Sequence, residues 1–285
     1  MTETAYARRV WQLLETLHAV TYFADEAREA NRAVGLRGFW MGYFASRAAP
    51  LGHVDAAVVT ATFANFHPAM VARAIPDAWT FAPPATVVAA RAPAAAAALR
   101  RAAPDVEDAA RRALPLLARV VGAASSAGRP LFAANRAVAA PTDPVAALWQ
   151  AATSLREHRG DGHVACLVGA GLSGCGIHVL FAADVGVPPA LLRDNRGWSD
   201  DDWAAATMTL QARGLLAGGR VTAAGGQLRA AVEARTDDLA GAPYALLADD
   251  ERAELLTVLA RPARAVAAAG VIPFPNPMGL PRPAP

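Results

Sequence analysis

Residues 198–240 read WSDDDWAAATMTLQARGLLAGGRVTAAGGQLRAAVEARTDDLA, and they contain the clearest secondary-structure signals in the chain. Ser199 is a good N-cap residue, and the three aspartates that follow it favour the positive end of a helix dipole. The pattern therefore predicts a helix from Asp200 to about Ala212. Three further elements are expected after it: a tight turn at 217–220, a short strand at Val221 and Thr222, and a helix over 223–233.

Helix, short hairpin and helix in this order are typical of a winged helix. Apolar residues at helical spacing also fill the N-terminal third of the chain. The helices expected there span Ala5 to about Ala33, Phe39–Ala49, Val54–Phe66 and Pro68–Ile75. We therefore predict a mainly α fold made of two diverged winged-helix or helix-turn-helix halves, with a short β-wing in the C-terminal half.

Proline and glycine positions suggest how the chain is divided. Pro93, Pro104 and Pro115 are expected to cut the helices of an Ala/Arg-rich region. Asp143 and Pro144 suit the N-cap and first position of a helix that should run to about His158. The expected segments are an N-terminal helix-turn-helix-like lobe (1–84), a helical connector (85–143), a C-terminal winged-helix lobe (144–270) and an extended proline-rich tail (271–285).

The two halves share a short pattern. Gly35, Leu36 and Gly38 align with Gly171, Leu172 and Gly174, and after one inserted residue Phe44 and Ala45 align with Phe181 and Ala182. A duplication is one explanation, and it would place both glycine pairs at a corner between two helices. Repeats of this length suit a tandem domain better than a solenoid.

The stretch 198–240 resembles the wing region of the multiple-antibiotic-resistance type of regulators, in which a helix ends in RGL, the wing follows and T-x-x-G opens the next helix. With LHAVTYF (17–23), GYFASRAAPLG (42–52) and REHRGDGH (156–163), the whole chain resembles an actinobacterial helix-turn-helix family. The resemblance implies a fold and no particular activity.

Bulk composition sets broad limits. The net charge of +2 gives no overall field that would attract DNA or anionic lipid, and the two cysteines among 285 residues suit a reducing compartment. No secretory signal precedes the first helix, so we expect a cytoplasmic protein. The uncharged run Val164–Ala183 is long enough for a membrane span, but its glycines favour a buried helix pair.

DNA binding is possible but disfavoured by local charge. A groove-reading helix presents its N-terminus to phosphates, and here that helix would begin with three aspartates. The basic residues nearby are Arg193, Arg196, Arg213 and Arg220. The objection weakens if the segment around 172–186 faces the groove instead.

Residues 156–163 hold the densest group of titratable side chains. A histidine beside a carboxylate can act as a general acid or base, so the candidate catalytic residues are His158, His163, Glu157 and Asp161, with Arg159 as a ligand contact. The alternative is a helix end followed by an N-cap at Asp161. Two cysteines cannot form a structural zinc site, and no metal site is expected.

Other residues suggest ligand contacts. Glu15 and His18 lie three apart, on one side of the first helix, but without a second Glu-x-x-His pair they suit a buried polar pair or a ligand contact. Aromatic residues are crowded into the first lobe, and a pocket there for a flat apolar molecule would use Tyr22, Trp40, Tyr43 and Phe66.

The segment GAGLSG (169–174) matches a dinucleotide-binding pattern after the strand-like residues 164–168. Its flanks supply no second βαβ unit, so we disfavour a cofactor there and name none. The leading hypothesis is a protein that binds an apolar or aromatic small molecule in a cleft between the first lobe and the 156–163 cluster. Two alternatives stay open: a ligand-responsive transcriptional regulator, which a homodimer could complete, and an enzyme using His158 or His163.

Overall fold

The computed structural model describes residues 1–283, and these residues form sixteen α-helices and one two-stranded sheet. The helices of the first half are α1 Glu3–His18, α2 Val20–Phe23, α3 Asp25–Ala33, α4 Gly38–Ala48, α5 Ala56–Phe63, α6 Pro68–Ala72, α7 Ala78–Phe81, α8 Pro84–Ala102, α9 Val106–Ala123 and α10 Pro130–Ala137. The remaining elements are α11 Pro144–Gly169, α12 Gly174–Val185, α13 Pro189–Asp194, α14 Asp200–Ala212, β1 Leu216–Ala217, β2 Arg220–Val221, α15 Ala223–Gly241 and α16 Asp249–Ala268. The predicted mainly α fold with a short C-terminal wing is confirmed.

The segment 198–240 folds as predicted at its N-terminal end. Ser199 caps α14 through the amide of Asp202, and the Asp202 carboxylate accepts the amide of Ser199 in return. β1 and β2 pair antiparallel, with Ala217 opposite Arg220. The following helix α15 is longer than the predicted 223–233, since it continues to Gly241 and packs against α1 and α11.

Helix α11 differs most from what the sequence predicted. It was expected to end near His158, yet it continues through Gly160 and Gly162 to Gly169, so the strand-like 164–168 is helical. Glycine inside a helix costs about 1 kcal/mol relative to alanine. Packing against α1, α8, α9, α10 and α15 outweighs that cost, because α11 runs through the middle of the molecule.

Other helix boundaries differ for local reasons. The first predicted helix is split into α1, α2 and α3. The break before α3 arises because Ala24 is extended and the acidic Asp25 and Glu26 suit a new helix start. Pro93 and Pro115 lie inside α8 and α9 and do not cut them. Each proline removes one intrahelical hydrogen bond, which the packing of these helices tolerates.

Three apolar cores hold the helices together. The first contains side chains of α1, α2, α8, α9, the start of α11 and α16, around the fully buried Trp149. The second contains side chains of α4 to α7, and the third contains those of α12, α14, the wing and the end of α11. The division of the chain at residues 84 and 143 stays a prediction, and the first core crosses both positions.

Both glycine pairs of the aligned pattern lie at helix corners. Gly35 lies between α3 and α4, and Gly171 lies between α11 and α12. GAGLSG is therefore the turn between two helices. Within residues 1–283, no single helix is long and apolar enough to cross a membrane; α11 and α12 pass that test only as a pair, bent by 95°.

Candidate functional site

Two turns, one in each half, face each other in the folded chain. The N-terminal turn (residues 64–67) precedes α6, and the C-terminal turn (residues 195–199) precedes α14. The amide of His67 donates to the carbonyl of Arg196 at 2.8 Å, and the rings of His67 and Trp198 meet edge to face with centroids 5.0 Å apart. The turn before α14 is therefore held against the other half of the molecule, while Ser199, Asp200 and Asp201 at the start of the helix stay exposed.

The carbonyl oxygen of Asn65 collects two further hydrogen bonds from the C-terminal half. It accepts from Trp198 Nε1 at 3.1 Å and from His178 Nε2 at 3.0 Å. Burial lowers the pKa of His178 to about 3, so its ring is neutral and Nε2 carries the donated proton. Gly197 has φ of +75° and a Cβ there would lie 2.8 Å from Met70 Cβ, so the close approach of the turns requires glycine.

Beneath the two turns lies a cavity of about 430 Å³, here named the central cavity. Its walls come from α1, α4, α11, α12 and α15, from both turns and from the tail. The aromatic and apolar lining residues include Trp11, Tyr43, Phe63, Phe66, Leu172, Ile177, Leu180 and Phe181. The volume falls in the range of small-molecule sites, about 300–1,000 Å³.

One wall of the central cavity holds a buried ionic network around Glu157. Arg47 binds both oxygens of Glu157, at 2.9 and 3.0 Å, and Arg156 lies 2.9 Å from Glu157 and 3.3 Å from Glu15. Burial raises the pKa of Glu157, but Arg156 and Arg47 outweigh it and hold that pKa at about 2. Glu157 is therefore ionised at neutral pH, where it balances arginines and does not exchange protons.

A second network lies between α1, α11 and α15. Arg159 contacts Glu233 at 3.1 Å and Asp237 at 3.0 Å, and Arg8 binds the same two carboxylates. The Arg159 guanidinium also lies 4.2 Å from the Trp11 ring. Arg159, expected as a ligand contact, thus lines the cavity with its charge already matched by carboxylates.

His163 also lines the central cavity, and its hydrogen bonding fixes its tautomer. Thr236 Oγ1 donates to the carbonyl of Val232 at 2.7 Å, so it accepts from His163 Nδ1 at 2.9 Å. Nε2 then carries the lone pair and can act as an acceptor. Burial lowers the pKa of His163, which keeps the ring neutral at physiological pH.

His158 and Asp161 lie on the other side of α11, away from the central cavity. The His158 ring packs edge to face on Phe132, and Asp161 accepts the Phe132 amide at 2.9 Å at the start of α10. Burial raises the pKa of Asp161 to about 6. Because a helix turns once in 3.6 residues, the 156–163 cluster is divided, with Arg156, Arg159 and His163 at the cavity.

Of the other residues predicted to contact a ligand, some line the central cavity and some lie elsewhere. Glu15 lines the cavity and accepts from Trp11 Nε1 at 3.2 Å, whereas His18 bonds Thr153 and Tyr22 inside the first core, both at 2.9 Å. Among the four predicted aromatic residues, Tyr43 and Phe66 line the central cavity. Tyr22 borders a smaller cavity of about 380 Å³ beside α3 and α4, and Trp40 packs in the second core.

Arg196 is the cavity residue whose role here the sequence did not suggest. It is 7% exposed, donates to the carbonyls of Asn195 at 3.0 Å and Pro277 at 2.8 Å, and lies 4.6 Å from the Phe66 ring. Burial lowers its pKa. Its position in a turn, next to Gly197 and Trp198, is the one local signal that could have indicated a packed site.

Three buried polar atoms of cavity-lining residues have no hydrogen-bond partner among residues 1–283. They are Asn65 Oδ1, Arg159 Nε and Arg196 Nε. In the same described range, no three His, Cys, Asp or Glu side chains are grouped to hold a metal ion. Two of the three unpaired atoms, Arg159 Nε and Arg196 Nε, are donors, and their residues line the cavity.

The fold and the site define a mainly helical protein in which the N-terminal turn and the C-terminal turn meet over an amphipathic cavity. The chain belongs to a helix-turn-helix family, which matches it over residues 7–273. No curated protein and no solved structure matches the chain.

Proposed function

We propose that the protein binds an apolar or aromatic small molecule in the central cavity. The observation that carries the proposal is a cavity of about 430 Å³ whose walls combine aromatic rings with buried polar atoms lacking partners. A buried donor without an acceptor costs about 1–3 kcal/mol, and a ligand that supplies the acceptor removes that cost. Such a ligand would be held between the two halves, since both turns and the tail contribute to the walls.

The proposal can be tested with a neutral, flat probe, 2-naphthamide, and two glycine variants. Gly160 lines the cavity in α11, and a Cβ there would meet Glu157 Oε2 at 3.5 Å, an ordinary contact. Gly160→Leu should fill part of the cavity and weaken binding at least about tenfold, because the added side chain takes the space of the ligand. Calorimetry and saturation-transfer NMR would measure the loss.

Gly176→Leu is the matched control, because Gly176 is also helical and a Cβ there meets nothing within 4 Å. It should bind 2-naphthamide like the unmodified protein. Equal binding by all three proteins would place the probe elsewhere and contradict the proposal.

A ligand-responsive DNA-binding regulator is the second candidate, favoured by membership of a helix-turn-helix family and by the wing. The wing's likeness to the multiple-antibiotic-resistance type belongs to this candidate. It ranks second because α14 contains no basic residue and Arg213 donates to the carbonyls of Ala170 and Gly171. The three aspartates in the first turn of α14 would also repel DNA phosphates. A homodimer is needed only for this candidate.

An enzyme is the third candidate, and His163 is the residue that favours it. Its Nε2 carries a lone pair and the residue lines the cavity, whereas Glu157 is ionised and His158 and Asp161 lie outside. His163→Gln would abolish turnover without unfolding the protein if His163 acts as a base. Unchanged turnover in this variant would remove that role.

A further inference from the structure

The charges that line the central cavity do not balance. Six arginines line it, and five of them pair with five carboxylates. Those carboxylates are Glu15, Glu157, Asp184, Glu233 and Asp237. Arg196 is the sixth arginine, and among residues 1–283 its polar contacts are two backbone carbonyls. The cavity therefore has an excess of one positive charge, located at Arg196.

A buried, unpaired guanidinium is energetically unfavourable. Arginine stays protonated in proteins, so it cannot escape the cost of burial by losing its proton. Carbonyl oxygens and the face of Phe66 offset part of this cost, but neither supplies a full negative charge. Arg196 Nε also has no acceptor, although it belongs to a side chain that is 93% buried. Both deficits would be met by one anionic oxygen placed beside Nε.

From this arrangement we infer that the ligand is a monocarboxylic acid with a flat apolar body, and that Arg196 binds its carboxylate; the inference rests on the proposed function. One unmatched cation suits one negative charge, whereas a phosphate dianion would leave a charge uncompensated in a buried site. The guanidinium edge can donate to a carboxylate oxygen from Nε while Nη2 keeps its bond to the Pro277 carbonyl.

The apolar walls near Arg196 define the rest of the ligand. Phe66 lies under the guanidinium at 4.6 Å, and Phe63 and Tyr43 continue this aromatic wall. Ile177 and Phe181 of α12 also line the cavity. Aromatic and aliphatic side chains favour a planar apolar group over a sugar or another polyol, which would need many hydrogen-bonding partners.

The experiment compares 2-naphthoate with 2-naphthamide, which share the ring system and differ in charge. Calorimetry on the unmodified protein should give a dissociation constant at least about tenfold lower for the acid, because a buried charge-assisted hydrogen bond is lost with the amide. Arg196→Met should reduce this ratio to about one by weakening the acid alone. Arg37→Met is the matched control, since Arg37 is an exposed arginine that also stacks on a phenylalanine, Phe81, at 4.1 Å.

The possible outcomes distinguish a failure of the inferred ligand class from a failure of the proposed function. Equal affinity for acid and amide in the unmodified protein overturns the inference and leaves small-molecule binding in place. A preference for the acid that survives in Arg196→Met overturns the role of Arg196. If neither probe binds, the proposed function fails as well. The acid-to-amide ratio of the unmodified protein needs no variant, so the charge preference is tested even if Arg196→Met does not fold.

Discussion

The indole Nε1 of Trp198 donates a hydrogen bond to the backbone carbonyl of Asn65 at 3.1 Å, which joins the turn before α14 to the turn before α6. These two residues are separated by 133 positions in the chain, so the bond links the two halves directly. The same turns carry Phe66 and Arg196 into the central cavity. Contact between the turns therefore holds the segment before α14 against the N-terminal half and, at the same time, builds one wall of the cavity.

Replacing Trp198 with phenylalanine tests this link. Trp198→Phe keeps an aromatic ring against His67 but removes the donor to Asn65, and a buried hydrogen bond is worth about 1 kcal/mol. We expect the free energy of unfolding, measured by urea denaturation, to fall by roughly that amount. Trp203→Phe is the control, because Trp203 packs against the same core without bonding the N-terminal turn. An equal loss in both variants would show that ring size alone matters.

The ionic network at Glu157 gives a second prediction. Glu157→Gln leaves Arg47 and Arg156 without their shared carboxylate, and breaking a buried ion pair costs about 3–5 kcal/mol. Thermal and urea unfolding should therefore show a large loss of stability. Glu107→Gln removes a carboxylate from the exposed pair with Arg100 and should cost less than about 1 kcal/mol. Similar losses in the two variants would contradict the structural role of Glu157.

DNA binding provides a third prediction. We expect no complex between this chain and duplex DNA at about 50 or 200 mM salt, because α14 lacks basic residues and begins with three aspartates. Gel-shift and anisotropy measurements at both salt concentrations would check this. Affinity that falls steeply with salt, and is lost in the wing variant Arg220→Ala, would instead support the regulator.

Short-range signals explain which parts of the fold could be predicted. Ser199, the three aspartates and the paired glycines of the wing act within a few residues, so the sequence predicted α14 and the wing. The length of α11 could not be predicted in this way. Gly160 and Gly162 disfavour a helix locally, and the helix persists because five other helices pack on it.

The candidate site was predicted only in part, because the cavity is assembled from distant segments. Glu15, Arg159 and His163 were recognised as polar residues among apolar helices, and they line the cavity. The sequence could not show that Arg47 neutralises a glutamate 110 positions away. Nor could it show that Arg196 is buried without a carboxylate, since burial and the lack of a partner are both tertiary properties.

The last prediction concerns pH and His158. Burial, with Arg129 adding to it, lowers the pKa of His158 from 6.5 to about 4. The unfolded chain therefore takes up a proton at this ring near pH 6.5, and the folded chain only near pH 4. The stability contributed by the neutral ring is present above pH 6.5 and is lost as the pH falls from 6.5 to 4. Burial also lowers the pKa of several other histidines. The contribution of His158 must therefore be measured as the difference in stability between the unmodified protein and a variant at this one position.

His158→Leu removes this titration while keeping an apolar contact for Phe132. The free energy of unfolding of the unmodified protein minus that of the variant should decrease by about 1–3 kcal/mol between pH 7 and pH 4.5, most of the change coming below pH 6.5. Urea denaturation at half-unit pH steps would measure the difference. His53→Leu, at an exposed position, is the control for replacing a surface histidine by leucine. A flat difference for His158→Leu would mean that the ring is protonated as readily in the folded chain as in the unfolded one.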